Sequence, residues 1–155
     1  MNSFAKLLAA GLSLTVLVGS ASAQVVGKTE DQIRFRQSAY TTMNWSVLRI
    51  KANVEGTYNK EQVIEAANVI QAIANSKMGA LFQPGSDKGK GWEPTRLKSE
   101  FFTDKDGVPK VAGPFIKAAN EMAKAAASGD QLAVTEGYEA LIKTCDGCHD
   151  KYKRK

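Results

Sequence analysis

The stretch Cys145-Asp146-Gly147-Cys148-His149 holds both cysteines and the only histidine of this 155-residue chain. Its spacing, C-x-x-C-H, is the attachment signature of a c-type haem. Each residue type has its own chemical task. Two thiols three residues apart can each add across a porphyrin vinyl group, and the adjacent imidazole offers a nitrogen to the iron. C-x-x-C alone also fits a structural disulfide, a redox dithiol or half of a zinc site. No second C-x-x-C or histidine pair completes a zinc site, however, and no β-α-β pattern surrounds the motif. The reading is one covalent haem c, with Cys145 and Cys148 as thioether sites and His149 as the proximal axial ligand. With no other histidine available, bis-histidine ligation is excluded. The sixth coordination position is then empty, filled by water or taken by another residue type.

The residues around the motif read as one helix, with Val134, Tyr138, Leu141, Cys145, Cys148 and Tyr152 spaced 4-3-4-3-4. That spacing is a single helical face, so both cysteines lie on the core side. The haem is expected inside a helical bundle, near the end of its last helix. Gly129 and Asp130 mark the preceding boundary, the first as a helix stop and the second as an N-cap.

Upstream, three more helices are expected. The first opens at Thr29, with Gln32 in capping-box position, and repeats Ile33, Arg36, Tyr40, Met43, Val47 and Ile50. Arg36 and Tyr40 are unusual on an inward face. A buried guanidinium needs an anion, which a haem propionate would supply, and a buried phenol needs a hydrogen bond or a gap. The second helix follows Asn59 and carries Val63, Ala66, Ala67, Ile70, Ile73, Ala74 and Leu81. Its alanines suit a dimer seam or a tight intrachain contact equally. The segment from Gln83 to Gly91 can sustain neither helix nor strand. It leads to Trp92, Phe101 and Phe102, beside Arg96 and Lys98, which either cover a haem edge or plug the end of a bundle. The third helix follows Asp106-Gly107, with a kink or a true start at Pro114 and an inward stripe of Phe115, Ala118, Met122 and Ala125.

At the other end, residues 1–23 read as a cleaved secretory signal peptide: a cation at Lys6, an apolar run from Leu7 to Val18, and Ala21-Ser22-Ala23. The domain is then 24–155. Twelve apolar residues are too few to span a bilayer. Export agrees with the cysteine usage, since haem attachment keeps the pair from becoming a disulfide in an oxidising compartment, and the address is the periplasm. The formal charge of +5 falls to +4 without Lys6, too weak and dispersed for a nucleic-acid partner. The terminal Lys151, Lys153, Arg154 and Lys155 read as a solvated, dipole-matched helix end or as a patch acting on His149 or a partner.

Arg36-Gln37-Ser38-Ala39-Tyr40, four helices and a C-terminal C-x-x-C-H together resemble the cytochrome c′ family from about Thr29 to Lys155. The resemblance implies an all-α, antiparallel up-down-up-down four-helix bundle enclosing the haem. It further implies Arg36 and Gln37 near the propionates, Thr95 as another haem contact, and Tyr40 as a distal gate over the vacant face. Lys153 stands near the proximal histidine, where relatives carry arginine.

The function expected is a periplasmic haem protein with five-coordinate, high-spin iron that binds a small diatomic gas such as NO or CO, or transfers single electrons. Its partners are then the gas, a redox protein and, through the first two helices, a second copy. The main alternative is a low-spin electron carrier ligated by methionine, for which Met43 is the first candidate. Core packing is the commoner use of such a methionine. A haem-free thiol oxidoreductase is a distant third. No nucleophile or carboxylate constellation for substrate turnover exists, so no enzyme is expected.

Overall fold

The computed structural model describes residues 26–155, so the leader expected at 1–23 lies outside the described residues. The described residues form four long helices and no named strand: α1 (Thr29–Glu55), α2 (Lys60–Asn75), α3 (Gly107–Ser128) and α4 (Gln131–Tyr152). Single 3-10 turns stand at Met78–Leu81 and Ser99–Phe102. Each helix packs on the next in sequence, and α1 meets α4 more sparsely to close the ring. The order is up, down, up, down. The start of α1, the end of α2, the start of α3 and the end of α4 gather at one end, as bonds from Arg36 to Leu81 O and from Tyr152 to Asp104 show.

The boundaries follow from local chemistry. Asn59 accepts the backbone N–H of Gln62 to start α2, and Asp130 accepts those of Leu132 and Ala133 to start α4. Gly129 ends α3 with φ of 76°, in the left-handed region where a Cβ is disfavoured. The first cap differs from expectation. The N-cap is Lys28, whose N–H donates to Asp31, while Gln32 is buried and donates to Val26 O. Acidic residues in a first turn satisfy the free N–H groups as well as a Thr-Gln pair would.

The core of α1, α2, α3 and α4 centres on Met43, Ile50, Ile70, Met122 and Leu141, with alanines between them. Four expectations need correction. Leu81 is not on α2, which stops at Asn75; Lys77 turns the chain with φ of 58° before the short 3-10 turn. Helix α3 does not start at Pro114 but runs through it from Gly107. Proline removes the hydrogen bond to the Lys110 carbonyl, yet Lys110, Gly113 and Pro114 are all exposed, so water can take that carbonyl. The buried arc of α3 comprises Ala119, Met122, Ala123 and Ala126, with Phe115, Ala118 and Ala125 only half-buried. Alanines let α2 and α4 both close on α3, which widens the buried arc past the expected stripe. Tyr40 also leaves its own stripe: it is 41% exposed, whereas Ile33, Arg36, Met43 and Ile50 are buried.

The lengths of α1 and α2 set up the site. Helix α1 has 27 residues and α2 only 16. The N-terminal part of α1 therefore outruns its helical neighbour, and the connection from Met78 to Phe102 covers it instead.

Candidate haem site

Two clamps hold that connection against the helices. On the α1 side, Arg36 donates from Nη1 to Ser86 Oγ (2.7 Å) and more weakly to Leu81 O, and from Nη2 to Thr95 Oγ1 (2.7 Å) and Ser86 O. Its guanidinium also lies 5.0 Å over the Phe82 ring. One turn's edge away, Gln37 Oε1 accepts the N–H groups of Trp92 and Glu93, and Gln37 Nε2 donates to Glu93 O. Trp92 caps this contact from outside, donating to Ser38 Oγ under the Arg34 guanidinium.

The second clamp is the tail beyond α4. Lys98 N–H donates to Tyr152 O and Arg154 N–H to Arg96 O, with Leu97 and Lys153 forming an antiparallel bridge between them. Arg154 Nη2 donates to the carbonyls of Thr95 (2.7 Å) and Asp87. Asp87 in turn accepts from Ser99 Oγ, the first reason that its carboxyl is held below the usual range. Lys151 pairs with Asp104 at 2.7 Å, and Tyr152 donates to the same carboxylate oxygen. The terminal cations thus fasten a loop, which is a third use beside the solvated end and the patch. Phe82, Phe101, Phe102 and Tyr152 interlock as a stacked and edge-to-face cluster, so Phe101 and Phe102 plug the bundle end while Trp92 stays outside.

Behind these clamps lies the C-x-x-C-H segment. Cys145 and Cys148 are free thiols, both half-buried on the inner face of α4. Burial, before all else, pushes both thiols up, with Asp146 adding to the effect at Cys145. They are neutral thiols. Partial burial lowers the His149 imidazole, with Lys153 the next contributor, which favours the neutral ring that a metal ligand requires. Tyr40 faces this group from α1. Its phenol is pushed up to about 12, by burial first and then by the Cys148 and Cys145 thiols, against the pull of Arg36.

Of the expected site residues, Cys145, Cys148, His149 and Tyr40 come together at one end of the bundle. Arg36, Gln37 and Thr95 stand at the same end, but as the pins of the covering loop. All four Nη hydrogens of Arg36 have acceptors within the chain, leaving Nε–H for a propionate. Ser86, Asp87 and Asp104 were not singled out from the sequence, and Arg154 was noted only as part of the terminal cluster. The one signal for the first two is a polar segment bracketed by Gly85 and Gly89, both of positive φ, which folds the loop back onto Arg36.

The donor set fits haem c. Two thiols and one imidazole come from α4, and among the described residues no group of three His, Cys, Asp or Glu is arranged to hold a bare metal ion. The family model for cytochrome c′ matches residues 31–153. The chain belongs to the cytochrome c′ family. The cytochrome c′ of Rhodocyclus tenuis is 51% identical over 129 residues, spanning 83% of this chain and 97% of that protein. A solved cytochrome c′ described for its ligand-controlled dimer dissociation superposes with a TM-score of 0.81 at 48% identity, over 84% of this chain and 99% of the other. A ferrous cytochrome c′ variant from Alcaligenes xylosoxidans with bound NO matches at a TM-score of 0.74 and 25% identity, over 84% and 98%. Cytochrome c′ proteins are haem proteins rather than turnover enzymes, and this chain carries the thiol pair that covalent haem c requires. Among the described residues no helix is long and apolar enough to cross a membrane.

Proposed function

We propose that Cys145 and Cys148 carry the haem as thioethers, that His149 is the proximal ligand of five-coordinate, high-spin iron, and that Tyr40 gates the open face to a diatomic gas such as NO or CO. The observation that supports this reading is the pair of unbridged thiols and the sole imidazole along the last turns of α4, in a chain of the cytochrome c′ family. The bound group supplies a one-electron iron centre with a coordination position open to a small ligand. The chain supplies the selectivity. A neutral phenol is a poor ligand, so Tyr40 stands in the way of an incoming gas without competing for the metal. Met43, the rival sixth ligand, is buried in the core with Ile50 and Val63, which supports packing as its role. The finding of bound NO in a relative supports the choice of gas. Residues 1–23 support a periplasmic address, from which single-electron exchange with a redox protein is the second activity of the same centre.

The test has two parts. Wild-type protein retains its haem in acidified organic solvent, whereas the Cys145→Ala, Cys148→Ala double variant releases it. Tyr40→Ala binds CO faster, on the order of tenfold, because the ring no longer has to be displaced, equal to about 1.4 kcal/mol of barrier. Met43→Leu leaves the resting spectrum unchanged. A low-spin wild-type spectrum that becomes high-spin in Met43→Leu makes the protein a methionine-ligated electron carrier instead.

A further inference from the structure

The α3/α4 seam carries a feature that the haem site does not use. Two adjoining hollows of about 380 and 250 Å³ share Pro114, Ala140 and Thr144, and so form one trough along the outer side of the seam. From Lys110 to Glu121 it runs about 16 Å at helical rise. Its floor is made of small apolar residues such as Pro114, Ala118 and Ala140. Its wall on α4 includes Thr144 and Gly147, the residues immediately before the two cysteines.

The rim is mainly cationic. Lys110, Lys117 and Lys143 line it, all exposed, and none makes an ion pair among the described residues. The single anion on the rim, Glu121, is neutralised by Lys124 at 2.9 Å. On α4, Glu136 lies on the same helical stripe as Lys143, and Glu139 and Asp146 are exposed farther round the helix from the trough. A carboxylate-bearing partner is therefore attracted to the three lysines and repelled by Glu139 and Asp146 on the outer side of α4, which biases its orientation. An apolar floor within a cationic rim is the anatomy of an interface, and its small size suits the brief encounters of electron transfer.

We propose that this trough is the docking site for an acidic electron-transfer protein, which exchanges one electron with the haem across the Thr144–Cys148 segment. The inference rests on the covalent haem reading above. In the exchange one electron leaves the reduced partner, the partner is oxidised by one step, and ferric iron becomes ferrous.

The experiment uses the haem-loaded protein and a flavodoxin as an acidic one-electron probe. At low ionic strength, adding the probe shifts the backbone amide resonances of Ala118, Thr144 and Gly147, and added salt reverses the shifts. The Lys110→Gln, Lys117→Gln, Lys143→Gln variant loses these shifts and is reduced by the probe at least tenfold more slowly. A control variant, Lys28→Gln, Lys51→Gln, Lys77→Gln, carries the same charge change and keeps both. Shifts that map to another face, or equal losses in the two triple variants, overturn the docking site. A wild-type protein that a small uncharged reductant cannot reduce, or that loses its haem to acidified solvent, overturns the haem reading itself, so the two failures are told apart.

Discussion

Arg36 on α1 donates through Nη2 to Thr95 Oγ1 at 2.7 Å, across 59 residues of sequence, and both residues are almost wholly buried. The same guanidinium holds Ser86 through two further bonds. Burial lowers its pKa, so the charge is kept by its neighbours and not by water. Arg36→Leu removes the donors to Ser86 Oγ and Ser86 O and the shorter of the two to Thr95 Oγ1, and should cost about 2–4 kcal/mol, read from denaturant midpoints of the haem-loaded protein. Arg36→Lys should recover only part of that, because one ammonium cannot reproduce the planar fork. Full recovery by lysine would mean that charge alone, and not the fork, holds the loop.

Gly91 sits against the other pin. A Cβ there would come within 2.5 Å of Gln37 Oε1, 2.7 Å of Arg34 N and 2.9 Å of Arg34 Cα. Two of those atoms are backbone and cannot swing aside. Gly91→Ala should therefore destabilise by about 1–3 kcal/mol. It should also free Trp92 from Ser38 and Arg34, visible as a red-shifted, more quenchable indole emission. Gly113→Ala, which meets nothing within 4 Å, is the matched control.

Asp104 gives a pH dependence of definite sign. Its carboxyl is depressed to about 2, by Lys151 first and then by Tyr152. A depressed carboxyl contributes stability that is complete above the ordinary value near 4 and is lost as pH falls towards 2, since the unfolded chain takes up the proton first. Asp104→Asn should lower the melting temperature at pH 7 and flatten the acid limb, so that the two curves converge as the pH approaches 2. Parallel curves down to that pH would remove Asp104 from the acid response.

Much of this was legible in the sequence. Four helices, the inward cysteines and the Asn59 and Asp130 caps follow from the period of apolar residues and from local hydrogen bonding, both of which act over a few residues. Arg36 was legible as buried and in need of partners. Its partners were not, because Ser86 and Thr95 are loop residues that ordinarily face water, and only tertiary folding brings them inside. Tyr40 illustrates the converse: its place in the stripe predicts burial, yet it is 41% exposed, because periodicity does not register which positions of a face the neighbouring elements reach. Pro114 failed as a boundary because the carbonyl it orphans, that of Lys110, lies on an exposed stretch where water can take it, so α3 runs on through the proline.

The outward face of α1 bears on assembly. Thr41, Trp45, Leu48 and Ala52 are spaced 4-3-4 along it, and Trp45 and Leu48 are 57% and 53% exposed. We expect a homodimer packed through this face, as an aromatic anchor in a helix seam would direct. Trp45→Glu should raise the dimer dissociation constant roughly thirtyfold or more, corresponding to about 2 kcal/mol, by sedimentation equilibrium. An unchanged constant would place the seam elsewhere.

The two clamps also bear on the order of folding. The helical hairpins close over connections of a few residues, whereas Arg36 reaches Ser86 across 50 residues and Arg154 reaches Asp87 across 67. Contacts so distant in sequence recover their loop-closure entropy late, and the Arg154 contacts cannot form until the last residues are in place. The bundle should therefore assemble first with its covered end still open, and the loop should shut over the cysteines last. The segment from Met78 to Phe102 is then the slowest part of the chain to gain protection against hydrogen exchange.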